Sequence, residues 1–122
     1  MAAFNWIDFE ALCPECGRGA PVRARCYVAS SRTGTDGPFH DREYALGQRM
    51  PWWPAGHAEH ADWRDVRGSV TVVSGSEVRE CCRADCRRCD AELFAVIRFV
   101  DLVPTAVEAV GYDRNWPAEF LK

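Results

Sequence analysis

The chain is 122 residues long, 48% hydrophobic and 27% charged, and its 15 basic against 18 acidic residues give a formal charge of −3 with a mean hydropathy of −0.28. That size suits one domain with a modest core, to which a structural metal would add useful stability; the 11% aromatic content argues against global disorder. The acidic balance removes the general attraction to phosphate backbones on which most nucleic-acid binding rests.

Residues 1–8 contain no basic region ahead of an apolar core, and the longest apolar stretch, 91–103, is interrupted by Glu92, Arg98 and Asp101. Neither an export signal nor a membrane span is expected. Seven cysteines in such a chain point to a reducing compartment, the cytoplasm, where paired cysteines are more often metal ligands than disulfides.

In chain order, residues 4–9 read as a first strand, with Phe4, Trp6 and Asp8 on one face and Asn5, Ile7 and Phe9 on the other. Val22, Ala24, Cys26 and Val28 alternate with Arg23, Arg25 and Tyr27, the period of two of a half-buried strand. Residues 30–37 are loop chemistry, and 42–46 suit a short strand. Residues 47–69 hold Pro51, Trp52, Trp53, Pro54, Gly56, His57, His60 and Trp63. Those prolines forbid a central strand and the aromatics are poorly suited to water, so an ordered, irregular Trp/Pro-rich insertion is expected, with one or two helical turns within 58–66. Residues 70–73 and 78–82 read as a hairpin around Ser74-Gly75-Ser76.

The last long strand is predicted at 92–101, where Leu93, Ala95, Ile97 and Phe99 share one face and Phe94, Val96 and Val100 the other, so both faces should be at least partly covered. Pro104 ends it, 105–110 suits a final strand, and 111–122 reads as a tail anchored by Trp116 and Phe120. With no internal repeat or dividing linker, the expectation is a single, mainly β domain built on an antiparallel sheet.

Two CxxC turns, Cys13-Pro14-Glu15-Cys16 and Cys86-Arg87-Arg88-Cys89, carry the chemistry. Such a turn aims two sulfurs at one point while its backbone amides donate to the thiolates, so two turns complete a closed tetrahedral site. Pro14 stiffens the first turn and Gly17 permits the positive φ that lets the chain leave it; Asp90 occupies the matching position in the second and tolerates the left-handed region better than most residues.

The segment from Leu12 to Gly17 resembles the knuckle of a zinc ribbon, and Cys86 to Asp90, followed by a strand, looks like that fold's second knuckle. The resemblance implies one structural Zn2+ held by Cys13, Cys16, Cys86 and Cys89, with strands radiating from both knuckles. The chain departs from the ribbon in its spacing. Sixty-nine residues separate Cys16 from Cys86, so a β-sheet insertion must occupy most of the protein, which the slow growth of loop-closure entropy permits. Phe4-Asn5-Trp6-Ile7 before a CPxC turn also resembles small uncharacterised bacterial ribbon proteins.

Cys26 reads as a core residue, Cys81 and Cys82 should point to opposite faces, and Cys82 is an alternative ligand in place of Cys86. A thioredoxin-like site is disfavoured because Gly17, Gly19 and Pro21 leave no room for a helix after Cys16. His57 and His60, with Glu59 or Asp62, offer either a second metal site or a polar surface turn. Trp52, Trp53 and Trp63 offer either a partner-binding surface or a satellite core. Arg79, Arg83, Arg87 and Arg88 gather near the second knuckle, interleaved with Glu77, Glu80, Asp85, Asp90 and Glu92.

No nucleophile elbow or phosphate-binding glycine loop stands out, and a closed four-cysteine site has no open coordination position, so no enzymatic activity is expected. The expected function is a non-enzymatic, zinc-stabilised protein-binding module, in its narrowest form a bacterial immunity or inhibitor protein that caps a toxin or enzyme. A nucleic-acid-binding zinc ribbon and a thiol redox sensor are the alternatives.

Overall fold

The computed structural model describes residues 4–30, 39–64 and 69–121, and among them seven strands form one sheet. They are β1 (Asn5–Cys13), β2 (Arg18–Cys26), β3 (Glu43–Ala45), β4 (Val70–Val72), β5 (Glu77–Cys86), β6 (Glu92–Val100) and β7 (Val103–Tyr112). The order is β3-β1-β2-β5-β6-β7, and β4 pairs with β5. All pairings are antiparallel except β1 with β3. The mainly β reading holds, with the sheet mixed rather than wholly antiparallel.

Alternation along the strands sorts residues between two faces. Ile7, Phe9, Val22, Ala24, Val78, Leu93, Ala95, Ile97 and Phe99 turn to the main core, while the odd-numbered β2 and β5 residues face outward. On the outer face, Cys81, Phe94, Val96 and Phe120 make a second, smaller cluster against which Trp116 packs. The tail therefore covers the sheet: after β7, which reaches Tyr112 rather than stopping near 110, two 3-10 turns (Asp113–Asn115 and Ala118–Phe120) lay Phe120 over the outer face with 1% of its surface exposed. Both faces of β6 are thus buried along Leu93–Ile97, as that apolar run requires, while Glu92 and Arg98 stay exposed.

The sheet curls for a visible reason. The β6–β7 register shifts between Val96 and Ile97 and again between Arg98 and Phe99, leaving Glu108 and Thr105 as extra residues in β7. Each bulge bends its strand and increases the local twist.

One edge of β5 is shared: Ala84 and Cys86 belong to the stretch paired with β2, and Val78 to Glu80 pair with β4. Where β2 leaves that edge, Glu80 completes the hydrogen bonding. Its two carboxylate oxygens accept the Tyr27 amide at 3.0 and 2.9 Å, and Oε1 accepts the Val28 amide at 3.2 Å. A carboxylate with 1% exposure is tolerable only because backbone donors replace its water.

The long excursion between β2 and β4 is tied at several points. Asn5, fully buried, donates from Nδ2 to the carbonyls of Ala29 and Phe39 and accepts the Arg42 amide at Oδ1. The Ala29 amide bonds Trp63 O at 3.0 Å, and the Met50 amide bonds Leu102 O at 2.8 Å. The helical turn expected within 58–66 is a 3-10 turn at His60–Arg64; residues 31–37 of the expected loop and 65–66 of the expected turn lie outside the described residues.

Candidate metal centre

The two CxxC turns are the tips of two hairpins. The first joins β1 to β2, the second joins β5 to β6, and the β2–β5 pairing sets Val22 opposite Cys86. A 2.8 Å bond from the Arg87 amide to Pro21 O fastens the second tip to the first hairpin. The knuckles share one local geometry. Gly17 N reaches Cys13 O at 2.8 Å with Gly17 at φ +72°, and Asp90 N reaches Cys86 O at 2.8 Å with Asp90 at φ +62°. Glycine meets that left-handed backbone without strain, and Asp is among the few other residues that visit it readily.

The result is a cluster of four sulfurs, from Cys13, Cys16, Cys86 and Cys89, all within 4.8 Å of one another. The Cys13–Cys89 sulfurs are 3.8 Å apart and the Cys16–Cys86 sulfurs 3.7 Å. A tetrahedral ion with metal–sulfur bonds of about 2.3 Å needs edges of about 3.8 Å, whereas a disulfide needs about 2.05 Å. The spacing therefore fits a metal held by four thiolates. Cys16 N lies 3.4 Å from Cys13 Sγ, an amide placed to stabilise the charged sulfur.

Ionisation within the cluster is uneven. Hydrogen bonding with Cys89, together with burial, pushes the Cys16 thiol up to about 12. At Cys86 burial works against the thiolate, but donation from the Cys89 and Arg88 backbone outweighs it and brings the thiol down to about 7. A divalent ion held by these four cysteines would replace the shared protons as counter-charge, so its binding would release protons.

The other cysteines stand apart from this chemistry. Cys26 and Cys82 are buried in the main core, where burial first and the Glu80 charge second hold their thiols well above the ordinary range. Cys81, on the opposite face, is pushed up to about 12 by the same two causes. Cys82 does not take the place of Cys86: it points into the core, its Sγ 3.8 Å from Glu80 O.

No family model, curated protein or solved structure significantly matches the chain. Its function is therefore read from its own geometry.

The histidines are engaged in the loop that carries them. His57 Nδ1 accepts the Glu59 amide at 3.0 Å and the ring stacks on Trp53, while His60 Nδ1 pairs with Trp53 O at 3.0 Å. Among the described residues, the only group of three or more possible ligands close enough to hold an ion is the cysteine tetrad.

The three tryptophans separate. Trp63 is 6% exposed and lies in the main core, so it offers no surface to a partner. Trp52 and Trp53 stay half-buried; Trp52 donates its indole N–H to the carbonyls of Glu59 and His60, and Phe39 packs on both rings. Together with Met50, Pro51 and Leu102 they line a cleft of about 360 Å³.

The four arginines near the second knuckle do not act as one patch. Arg79 is held by Glu108 at 2.7 Å and Glu119 at 3.4 Å under the tail, and Arg88 donates to Gly19 O at 2.8 Å. Sequence reasoning missed Glu80 and the Arg25–Arg83 pairing, because both depend on which strand lies beside β5.

Proposed function

We propose that the protein is a non-enzymatic, zinc-stabilised module that binds another protein. The observation that carries the metal part is the convergence of four cysteine sulfurs from two hairpin tips at tetrahedral spacing. Four thiolates suit zinc, and a closed set leaves no position for substrate. The ion joins segments 69 residues apart in the chain, so its role is to hold the two hairpins together.

The cleft beside Trp52 and Trp53 supports a protein partner. Its rings are fixed by hydrogen bonds and stacking before any partner arrives, and rigid, partly exposed tryptophans lose little entropy on binding. An immunity or inhibitor protein is the narrowest form of this reading.

The test is native mass spectrometry of the protein recovered with its partners from its own cells. One zinc per chain with a stoichiometric protein, released by Trp53→Ala while zinc content and melting temperature hold, is the expected result. Zinc with no protein partner overturns the binding role, and a chain that takes up no zinc overturns the reading at its base.

A further inference from the structure

We infer that the outer face carries a second site, independent of the metal and of the Trp52–Trp53 cleft, for a phosphate monoester borne on a flat ring, the chemistry of a nucleoside monophosphate. The register of the strands builds it. Across the outer face run Trp6, Arg25, Arg83, Phe94 and Gly111, each directly opposite the next. Arg25 and Arg83 are therefore cross-strand neighbours, their Cβ atoms about 5 Å apart.

Like charges so placed repel unless an anion lies between them, and among the described residues no carboxylate is paired with either. On the same face Arg23 is paired with Asp8 and Glu43, Arg79 with Glu108 and Glu119, and Arg98 with Glu77. Among the described residues no carboxylate comes within 4.0 Å of Arg25 or Arg83, although Glu80, held by the Tyr27 and Val28 amides, and Asp113 line the same cleft and Asp85 follows two positions along β5. The Arg25 guanidinium is steadied instead by rings, 4.7 Å from the centre of Phe4 and 5.6 Å from that of Trp6.

Both arginines open into a cleft of about 460 Å³ between the sheet and the C-terminal tail, with Tyr27, Trp116 and Phe120 among its walls. That volume suits a small organic ligand. Two arginines rooted at facing positions and lining one cleft match a phosphate dianion in charge and in their forked donors better than a singly charged carboxylate. The aromatic walls suit a flat ring. A nucleic-acid strand fits poorly, because the next row toward the knuckles, Asp8, Arg23, Asp85 and Glu92, carries three carboxylates, and the whole chain is net negative at −3.

The experiment is calorimetric titration of the zinc-loaded full chain with adenosine and uridine monophosphates, inorganic phosphate and a thymidine decanucleotide. Saturable 1:1 binding of a mononucleotide is expected, weakening as salt rises. Arg83→Gln, at an exposed position, should weaken it about tenfold or more while melting temperature and zinc content hold. Trp116→Leu should weaken the mononucleotide but leave inorganic phosphate unchanged. No saturable binding of either mononucleotide up to about 10 mM, equal affinity in the Arg83→Gln and Arg25→Gln variants, or tighter binding of the decanucleotide would each overturn the assignment. Because Arg83→Gln leaves the cysteines and Trp53 untouched, failure here is separable from failure of the zinc or protein-partner reading.

Discussion

Glu80→Gln is the substitution that best tests how this sheet is joined. Glu80 sits on the core face of β5, 1% exposed, and its carboxylate receives the Tyr27 and Val28 amides where β2 turns away. Glutamine keeps the shape, and its oxygen in the Oε1 position still accepts both amides, but it loses the charge and puts an NH2 group where Oε2 stood, donor against donor with the Tyr27 amide. A hydrogen bond to a charged group contributes about 1.5–3 kcal/mol, and a buried donor left unpaired costs about 1–3 kcal/mol. Loss of the charge from these bonds and the opposed donors at Tyr27 together give a net loss of about 2–3 kcal/mol. In a domain of this size that corresponds to a fall of roughly 10 °C in melting temperature. The assay is thermal unfolding of the zinc-loaded protein followed by circular dichroism, with Glu80→Ala as a second variant expected to lose more because it also opens a cavity. If Glu80→Gln melts within about 1 °C of the parent, the carboxylate is not what holds the β2 exit against β5.

Cys13→Ser, or a strong chelator, should abolish the cooperative unfolding transition, since structural zinc contributes about 10–16 kcal/mol in finger peptides and a whole domain is stable by only about 5–15 kcal/mol; metal analysis with circular dichroism reads both losses. Gly111→Ala should cost about 1–3 kcal/mol, because an added Cβ would lie 2.6 Å from Phe94 Cε2 and 2.9 Å from Cζ in a ring wedged against Trp116; denaturant unfolding measures it. Gly17→Ala should cost about 1 kcal/mol by the same measurement, since position 17 holds φ +72°. Asn5→Ala leaves the Ala29 and Phe39 carbonyls and the Arg42 amide without their side-chain partner and should cost about 3 kcal/mol, with faster amide exchange at Arg42 as its local signature.

Local rules reach a long way in this chain. The sorting of Trp6 and Asp8 from Ile7 and Phe9 follows from the two-residue period alone, as does the double-sided burial of β6. The knuckles are equally local, because four consecutive residues and the backbone preference of the one that follows set where two sulfurs point; Gly17 and Asp90 at positive φ are read from residue type. The limits are local too. The first strand was expected to end at Phe9 and the strand before the second knuckle at Cys82, whereas β1 runs to Cys13 and β5 to Cys86, because cross-strand hydrogen bonds carry each strand up to its turn.

The sequence by itself determined the mainly β character, the two cysteine turns and their capacity for half a tetrahedron each. Only the tertiary structure decided that the two halves meet, that Trp63 goes inside while Trp52 and Trp53 remain at the surface, that Cys82 serves the core, and that Arg25 faces Arg83 across neighbouring strands. The physical reason is register. A strand's pattern says which residues share a face, but which strand lies alongside, and at what offset, is settled by pairings such as Val22 with Cys86, made between segments that nothing in their local sequence connects.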